Sequence, residues 1–487
     1  MTASGSLQDC SVTVLSKHII QCAHEESLAT IPSPFKLGPL DQLVNLSVPI
    51  AVVFTYKSGI AVDRLQRALA RLLDYYPHLT GRLHISEEDG TREMTALGSG
   101  AELLVAECTS RLDAFSSPVD LPGRGGNALC APFDPSLEAV CRDPQFTIQH
   151  TRFACGGVAL GVRLHHTLCD SDGFFQLVRD LAELYRSIGP DPDSTPGALA
   201  HPPCIRGYLS ELLYDMPPDD RKAALEYQPS LFHVDPTPAA AAAPAPPTTI
   251  STPPPVVGRI IRISGAELAA LKAHATNPNG SSWISTFDAL AAHLWQTLYR
   301  ARLQLRAASP SVSSSPLSTA FLTSVNHRAR LPTPPHHFPN CLFTPHTTFP
   351  HADLATAPLW QLAQTMHALT RHPSAAAATA TARWIAAQPD KRRIRWGFPG
   401  GEGAFMFSAW SKFDAYRGTA FEAGAPPVGV AQPFSPINML DGLAYTLPTE
   451  AQGRGEEAEG VDLWLAVREP VWGVLGEGER LRRVGWE

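Results

Sequence analysis

Residues 155–173 read Cys155-Gly156-Gly157-Val158-Ala159-Leu160-Gly161-Val162-Arg163-Leu164-His165-His166-Thr167-Leu168-Cys169-Asp170-Ser171-Asp172-Gly173. Val158, Leu160, Val162 and Leu164 fall on alternate positions, the period of a strand with one buried face. Next, Phe174, Leu177, Val178, Leu181, Leu184 and Tyr185 take the i, i+3, i+4, i+7 spacing of a helix, which Gly189-Pro190 stops. Upstream, 145–155 reads as the partner strand across the Gly156-Gly157 turn. A strand that ends in two histidines and hands over to a helix is where α/β sheets gather reacting groups.

Working outward, Pro49–Tyr56 reads as a buried strand and Val62–Tyr75 as an amphipathic helix with Leu65, Leu69, Leu72 and Leu73 on one stripe. Short helical pieces are expected around 205–214 and 219–226. A strand follows at 257–263, then a helix from Gly265 and a longer one at 287–301. Ser285-Thr286-Phe287-Asp288 resembles an N-cap for the longer helix. Further strands are expected at 318–326, 341–348, 404–410 and 461–467, and a helical region at 353–388 broken near Pro373. Of the 45 prolines, 16 lie in residues 190–255, where proline interrupts helices and central strands alike. Asp235–Thr249 is so rich in Pro and Ala that it reads as a flexible linker or exposed crossover. The pattern predicts an α/β domain over 1–189, a Pro/Ala-rich crossover over 190–255 and a second α/β domain over 256–487.

Composition excludes several classes. The formal net charge of −7 argues against a dedicated nucleic-acid binder. The nine cysteines are odd in number and contain no C-x-x-C, so neither a zinc ribbon nor a disulfide framework is indicated, and no metal is expected. No basic patch followed by a long apolar run opens the chain, and no stretch approaches ~18 apolar residues. The expectation is a cytoplasmic, monomeric protein with no membrane span and reduced thiols. P-loop, G-x-G-x-x-G, G-x-S-x-G and H-E-x-x-H signatures are all missing.

His166-x-x-x-Asp170 is weak by itself: with 18 histidines, roughly one such match is expected by chance. A tight turn either folds Asp170 back beside His166 or turns it away to fix the loop. Four further segments sharpen the reading. They are Gly38-Pro39-Leu40-Asp41-Gln42, Tyr76-Pro77-His78-Leu79-Thr80-Gly81-Arg82-Leu83, the helix start Ser285–Trp295, and Val325-Asn326-His327-Arg328-Ala329-Arg330-Leu331 followed by Asn340-Cys341. Together with 155–173, and in this order, the set resembles the BAHD (HXXXD) acyltransferases over most of the chain. Two departures stand out: Ser171 stands where the family usually has Gly, and the family's D-F-G-W-G-x-P is eroded to Ala420-Phe421-Glu422-Ala423-Gly424-Ala425-Pro426, the second pointing to a divergent, non-plant-like branch.

The resemblance implies a two-domain, chloramphenicol-acetyltransferase-like α/β fold, with mixed sheets flanked by helices and an active-site channel between domains. It implies acyl-CoA as co-substrate, no permanently bound cofactor and a small-molecule acceptor. His166 would be the general base, since an unperturbed imidazole titrates near pH 6.5. Asp170 would point away and pair with an arginine, Arg328 before Arg330. Gly173 would permit a sharp helix entry, and Ser408, ahead of Ala409-Trp410, would donate to the developing oxyanion. His165 reads as packing or hydrogen bonding. Which residues contact coenzyme A is left open; Lys391-Arg392-Arg393-Ile394-Arg395, the densest basic run, reads as a solvated face. Acetyl is the default donor and a specialised-metabolite alcohol the default acceptor, with an amine second. A condensation-like enzyme using a carrier-protein thioester and a non-catalytic binding member are the alternatives.

Overall fold

The computed structural model describes residues 10–189, 197–236, 254–280, 283–308, 316–454 and 460–483. Two six-stranded mixed sheets carry the fold. The first runs β1 (Val12–Ile20), β3 (Ala101–Cys108), β4 (Phe146–Phe153), β5 (Val158–His165), β2 (Pro49–Tyr56) and β10 (Gly429–Ala431). Its neighbours are antiparallel except β3 and β4. The second runs β6 (Val256–Ser264), β12 (Gly460–Arg468), β11 (Leu443–Leu447), β9 (Phe405–Ala409), β7 (Ala320–Thr323) and β8 (His346–Thr348). There β11, β9 and β7 are parallel and the other pairs antiparallel.

Helices α1 (Val62–Tyr75) and α2 (Ser171–Ser187) pack on the first sheet. Helices α3 (Thr286–Ala308) and α4 (Leu359–Leu369) pack on the second. β2 and α1 take the bounds read from the sequence. The leucines at 65, 69, 72 and 73 are wholly buried, each worth about 1.5–3 kcal/mol against exposure. The region 353–388 is helical on either side of Pro373, as α4 and α5 (Ala375–Ala387). Ser285 and Asp288 form a reciprocal cap at the start of α3: Ser285 Oγ accepts from the Asp288 N–H at 3.1 Å, and the Ser285 N–H donates to Asp288 Oδ2 at 2.8 Å.

Three differences from the sequence reading have physical causes. The first concerns β5, whose alternation predicts one solvent face but whose eight residues are all buried. The small residues lie under a second layer: a Cβ at Gly161 would sit 1.9 Å from the Leu129 carbonyl oxygen. The second concerns the boundary expected at 255/256, which sheet membership crosses. β10 pairs with β2, Gly429 opposite Thr55, and so covers an edge that would otherwise present unpaired backbone groups.

The third concerns the proline-rich crossover. Its described part, 197–236, packs on the body of the molecule: the Pro218–Glu226 helix lies against α5, and Phe232–Val234 pairs with Ile394–Trp396. Of the segment read as a linker, residues 237–249 lie outside the described residues. No helix among the described residues is long and apolar enough to cross a membrane.

Candidate active site

β5 ends at His165, whose ring is committed to the chain. Its Nε2 lies 2.7 Å from the Leu46 carbonyl, and its Nδ1 accepts from the Thr167 N–H at 3.2 Å. His166, one residue on, is half-buried. Its main-chain N–H donates to the Val48 carbonyl at 3.3 Å, while its ring Nδ1 is buried with no hydrogen-bond partner. Burial lowers the His166 pKa from its ordinary 6.5, against weaker upward pulls from nearby backbone groups and Asp170. The imidazole is therefore neutral at neutral pH, the form able to take a proton.

Asp170, 1% exposed, is turned away to fix the loop. It is the N-cap of α2, which starts at Ser171: Oδ1 accepts from the N–H groups of Asp172 at 3.1 Å and Gly173 at 3.2 Å. Oδ2 accepts from Arg328 Nη1 at 2.7 Å and from the Cys341 N–H at 2.9 Å. Burial alone would raise the Asp170 pKa, but the Arg328 charge and these hydrogen bonds outweigh it and hold it low. Arg328 also donates to the carbonyls of His337 (2.9 Å) and Pro339 (2.7 Å), wrapping the 337–341 segment around its guanidinium. Arg330, the other arginine considered, donates to the Thr370 carbonyl instead.

Gly173 is needed for a different reason from the expected one. It is not among the glycines with positive φ, so the helix entry demands no glycine there. A Cβ at 173 would instead stand 2.1 Å from the Phe338 carbonyl oxygen. The close approach of the Arg328 loop is what excludes a side chain.

Two motif segments that the sequence reading left without a role meet beside His166. Asp41 and Asn340 are each 2% exposed. Asp41 Oδ1 accepts from the Asn340 main-chain N–H at 3.0 Å and from its Nδ2 at 2.8 Å, while Oδ2 accepts from the Gly38 N–H at 2.8 Å. Asn340 Nδ2 also donates to the carbonyls of His166 at 3.0 Å and Thr167 at 3.3 Å. Burial, offset in part by these hydrogen bonds, pushes the Asp41 carboxyl up to about 7. The two residues stand 299 positions apart, and only their membership of the ordered motif set could have drawn attention to them.

Ser408, on β9, lines a cavity of about 90 Å³ with Asp170, Ser171, Asp172, Asn326 and Trp410; His166 is not among its lining residues. The structure thus brings Ser408 to the start of α2. The basic run is not simply a solvated face: Lys391 is buried and pairs with Asp89 at 2.7 Å, while Arg392 pairs with Asp390 and Arg395 with Asp235. No group of three or more His, Cys, Asp or Glu among the described residues is placed to hold a metal ion.

The eroded 420–426 segment lies at the opposite end of the first sheet. β2 pairs Pro49 with His165 and Tyr56 with Val158, so its two ends are roughly 23 Å apart at ~3.3 Å per residue. Phe421, wholly buried, sits edge-on to Tyr56 (5.7 Å between centroids) and Tyr185 (5.3 Å). Glu422 accepts from the Tyr185 hydroxyl at 3.1 Å and pairs with Arg64 at 3.0 Å.

Comparison with known proteins bears on this arrangement. A chain 25% identical over 469 residues, covering 89% of this protein and 95% of its own length, is hydroxycinnamoyltransferase 2 of Oryza sativa subsp. japonica. Taxadien-5-alpha-ol O-acetyltransferase of Taxus chinensis is 35% identical over 133 residues, covering 27% of this chain and 29% of its own. Among solved structures, F. sporotrichioides TRI101 complexed with coenzyme A and T-2 superposes with a TM-score of 0.64 at 19% identity, covering 92% of this chain and 98% of its own. Vinorine synthase superposes with a TM-score of 0.61 at 16% identity, covering 95% and 96%. At those identities the two likenesses bear on the fold alone, the chloramphenicol-acetyltransferase-like α/β class that the motif set implied. A family model described as the Transferase family matches residues 10–470, and the chain accordingly belongs to that family, the BAHD acyltransferases.

Proposed function

We propose that this protein transfers an acyl group from a coenzyme A thioester to a hydroxyl or amine of a small-molecule acceptor, with His166 as general base. The observation that carries the reading is the state of His166: a neutral, half-buried ring at a strand end whose Nδ1 is turned inward, which leaves Nε2 as the nitrogen to take the acceptor's proton. Asp170 has its oxygens engaged by the α2 N-terminus, Arg328 and Cys341, so it serves as a loop anchor and not as a second member of a charge pair with His166.

The chemistry follows from those roles. As the acceptor oxygen or nitrogen bonds to the thioester carbonyl carbon, its proton passes to His166, and a tetrahedral oxyanion forms. Collapse breaks the carbon–sulfur bond and expels the coenzyme A thiolate, which takes the proton back from the imidazolium. General-base help of this kind is worth about 10²–10⁴ in rate. Ser408 is the proposed hydrogen-bond donor to the oxyanion, reached from the cavity at the start of α2, and the channel is proposed to run between the two sheets. Acetyl is the simplest donor and a specialised-metabolite alcohol the first acceptor to try. The names of the rice hydroxycinnamoyltransferase and the yew O-acetyltransferase support an acyl donor and small-molecule acceptors of this kind.

Thiol release from a panel of acyl-CoAs in the presence of candidate alcohols and amines tests the proposal. His166→Ala should lower turnover about 10²–10⁴-fold with the fold intact by circular dichroism. Absence of turnover with every thioester would overturn the transferase reading for this chain.

A further inference from the structure

We infer that Asn340, held in place by Asp41, is a positioning residue for His166. The inference rests on the reading of His166 as the base and adds to it the device that sets the height and direction of its ring. β5 stops at His165, so His166 lies outside the ladder that orients the residues before it. Its main chain is tied on one side by the N–H bond to the Val48 carbonyl at 3.3 Å. On the other side, the carbonyls of His166 and Thr167 both turn to the single amide of Asn340, at 3.0 and 3.3 Å.

That amide has one workable orientation. Its Nδ2 faces three oxygens, those of Asp41 Oδ1, His166 and Thr167. Its own Oδ1 is buried with no partner. A flipped amide would set an acceptor against three acceptors, which a buried site does not tolerate.

The same stretch of chain grips both sides of the His166 turn. The N–H of Asn340 docks on Asp41, and the next N–H, that of Cys341, docks on Asp170. The carboxylate–amide–carbonyl chain therefore transmits the position of the 337–341 segment to the peptide that carries the imidazole. A displacement of about 1 Å at a reacting group costs on the order of 10²-fold in rate, so loss of this anchor should appear in turnover.

A residue that only stabilised the fold would lower the melting temperature and leave turnover per folded molecule alone. The test separates the two roles. kcat and KM are measured for Asn340→Ala and for the milder Asn340→Ser and Asp41→Asn. A control, Leu294→Ala, is buried in the core of the second sheet. The expected result is a fall in kcat of roughly 10- to 100-fold for Asn340→Ala. KM for acyl-CoA and acceptor should stay within about threefold, and Asp41→Asn should lie between Asn340→Ala and wild type. Leu294→Ala, compared at equal folded fraction, should keep wild-type kcat.

If Asn340→Ala does not fold, Asn340→Ser and Asp41→Asn carry the same comparison. Turnover in the Asn340 and Asp41 variants equal to that of the control, or a change confined to KM, would overturn the inference. His166→Ala measured alongside keeps the two claims apart. Wild-type turnover in His166→Ala removes the base itself, whereas inactive His166→Ala with fully active Asn340 variants removes only the positioning role.

Discussion

The two ends of the first sheet tie the second half of the chain to the first by different physics. At the His166 end the ties are directional and buried: Asp170 against Arg328, with side chains 2% and 16% exposed, and Asp41 against Asn340. At the far end they are an aromatic plug, Phe421 between Tyr56 and Tyr185, and a rim ion pair, Arg64 with Glu422, whose side chains are 19% and 37% exposed. A buried carboxylate needs every partner in place, because each unpaired group carries its full desolvation cost. An aromatic plug needs volume and little else. The two ends also differ in how they depart from the family pattern: beside His166 the departure is Ser171, whereas at 420–426 Phe421, Gly424 and Pro426 match and Ala420, Glu422 and Ala423 replace Asp, Gly and Trp.

The comparison is most exposed to Asp170→Ala. Removing this carboxylate takes from the partly buried Arg328 its 2.7 Å partner, leaving it only Asp172 at 3.8 Å, and uncaps α2; it should cost about 3–5 kcal/mol in urea unfolding as well as most of the turnover. A cost under about 1 kcal/mol, the range of surface pairs, would erase the difference between the two ends. Phe421→Ala should destabilise by about 3 kcal/mol through its cavity. Because it lies at the far end, kcat per folded molecule should stay near that of wild type. A large kcat loss there would show that the ends are mechanically linked.

A smaller effect concerns pH. The unfolded carboxyl of Asp41 titrates near 3.9, and the folded one is raised to about 7. The folded state therefore holds a proton that the unfolded chain has released between those values. The stability this group contributes is full below about pH 4 and is lost as the pH rises toward 7. Asp170, whose pKa is held low, contributes stability above about pH 4 that is lost only on further acidification. Unfolding free energies at pH 4.5, 6 and 7.5 should thus fall with pH more steeply in wild type than in Asp41→Asn; parallel profiles would refute the buried-acid account. Smallest of all, Glu422→Ala should cost no more than about 1 kcal/mol, and less in high salt, where an exposed pair is screened.

Much of the fold is legible in the sequence. The bounds of β2 and α1, the β4–β5 pair leading into α2, and the break at Pro373 all follow from side-chain period and proline chemistry. That Asp170 pairs with an arginine is implied by the family resemblance, with Arg328 ahead of Arg330 in the matched segment, and the structure places Arg328 there. The reading of β5 as half-solvated failed because Ala159 and Gly161 look like a solvent face and instead make room for the chain at Leu129. The need for Gly173 is not local: the close neighbour is Phe338, far along the chain.

The sequence by itself determined the local elements, their order and the family, since periodicity, caps and turn residues act over a few positions and the ordered motifs lie open in the chain. Only the tertiary structure decided that Asp41 and Asn340 meet beside His166, that Phe338 stands against Gly173, and that β10 returns to cover the edge of the first sheet. Those outcomes depend on hydrogen bonds between groups up to 299 residues apart. Such bonds form where packing of the whole chain removes both groups from water and leaves each the other as its remaining partner.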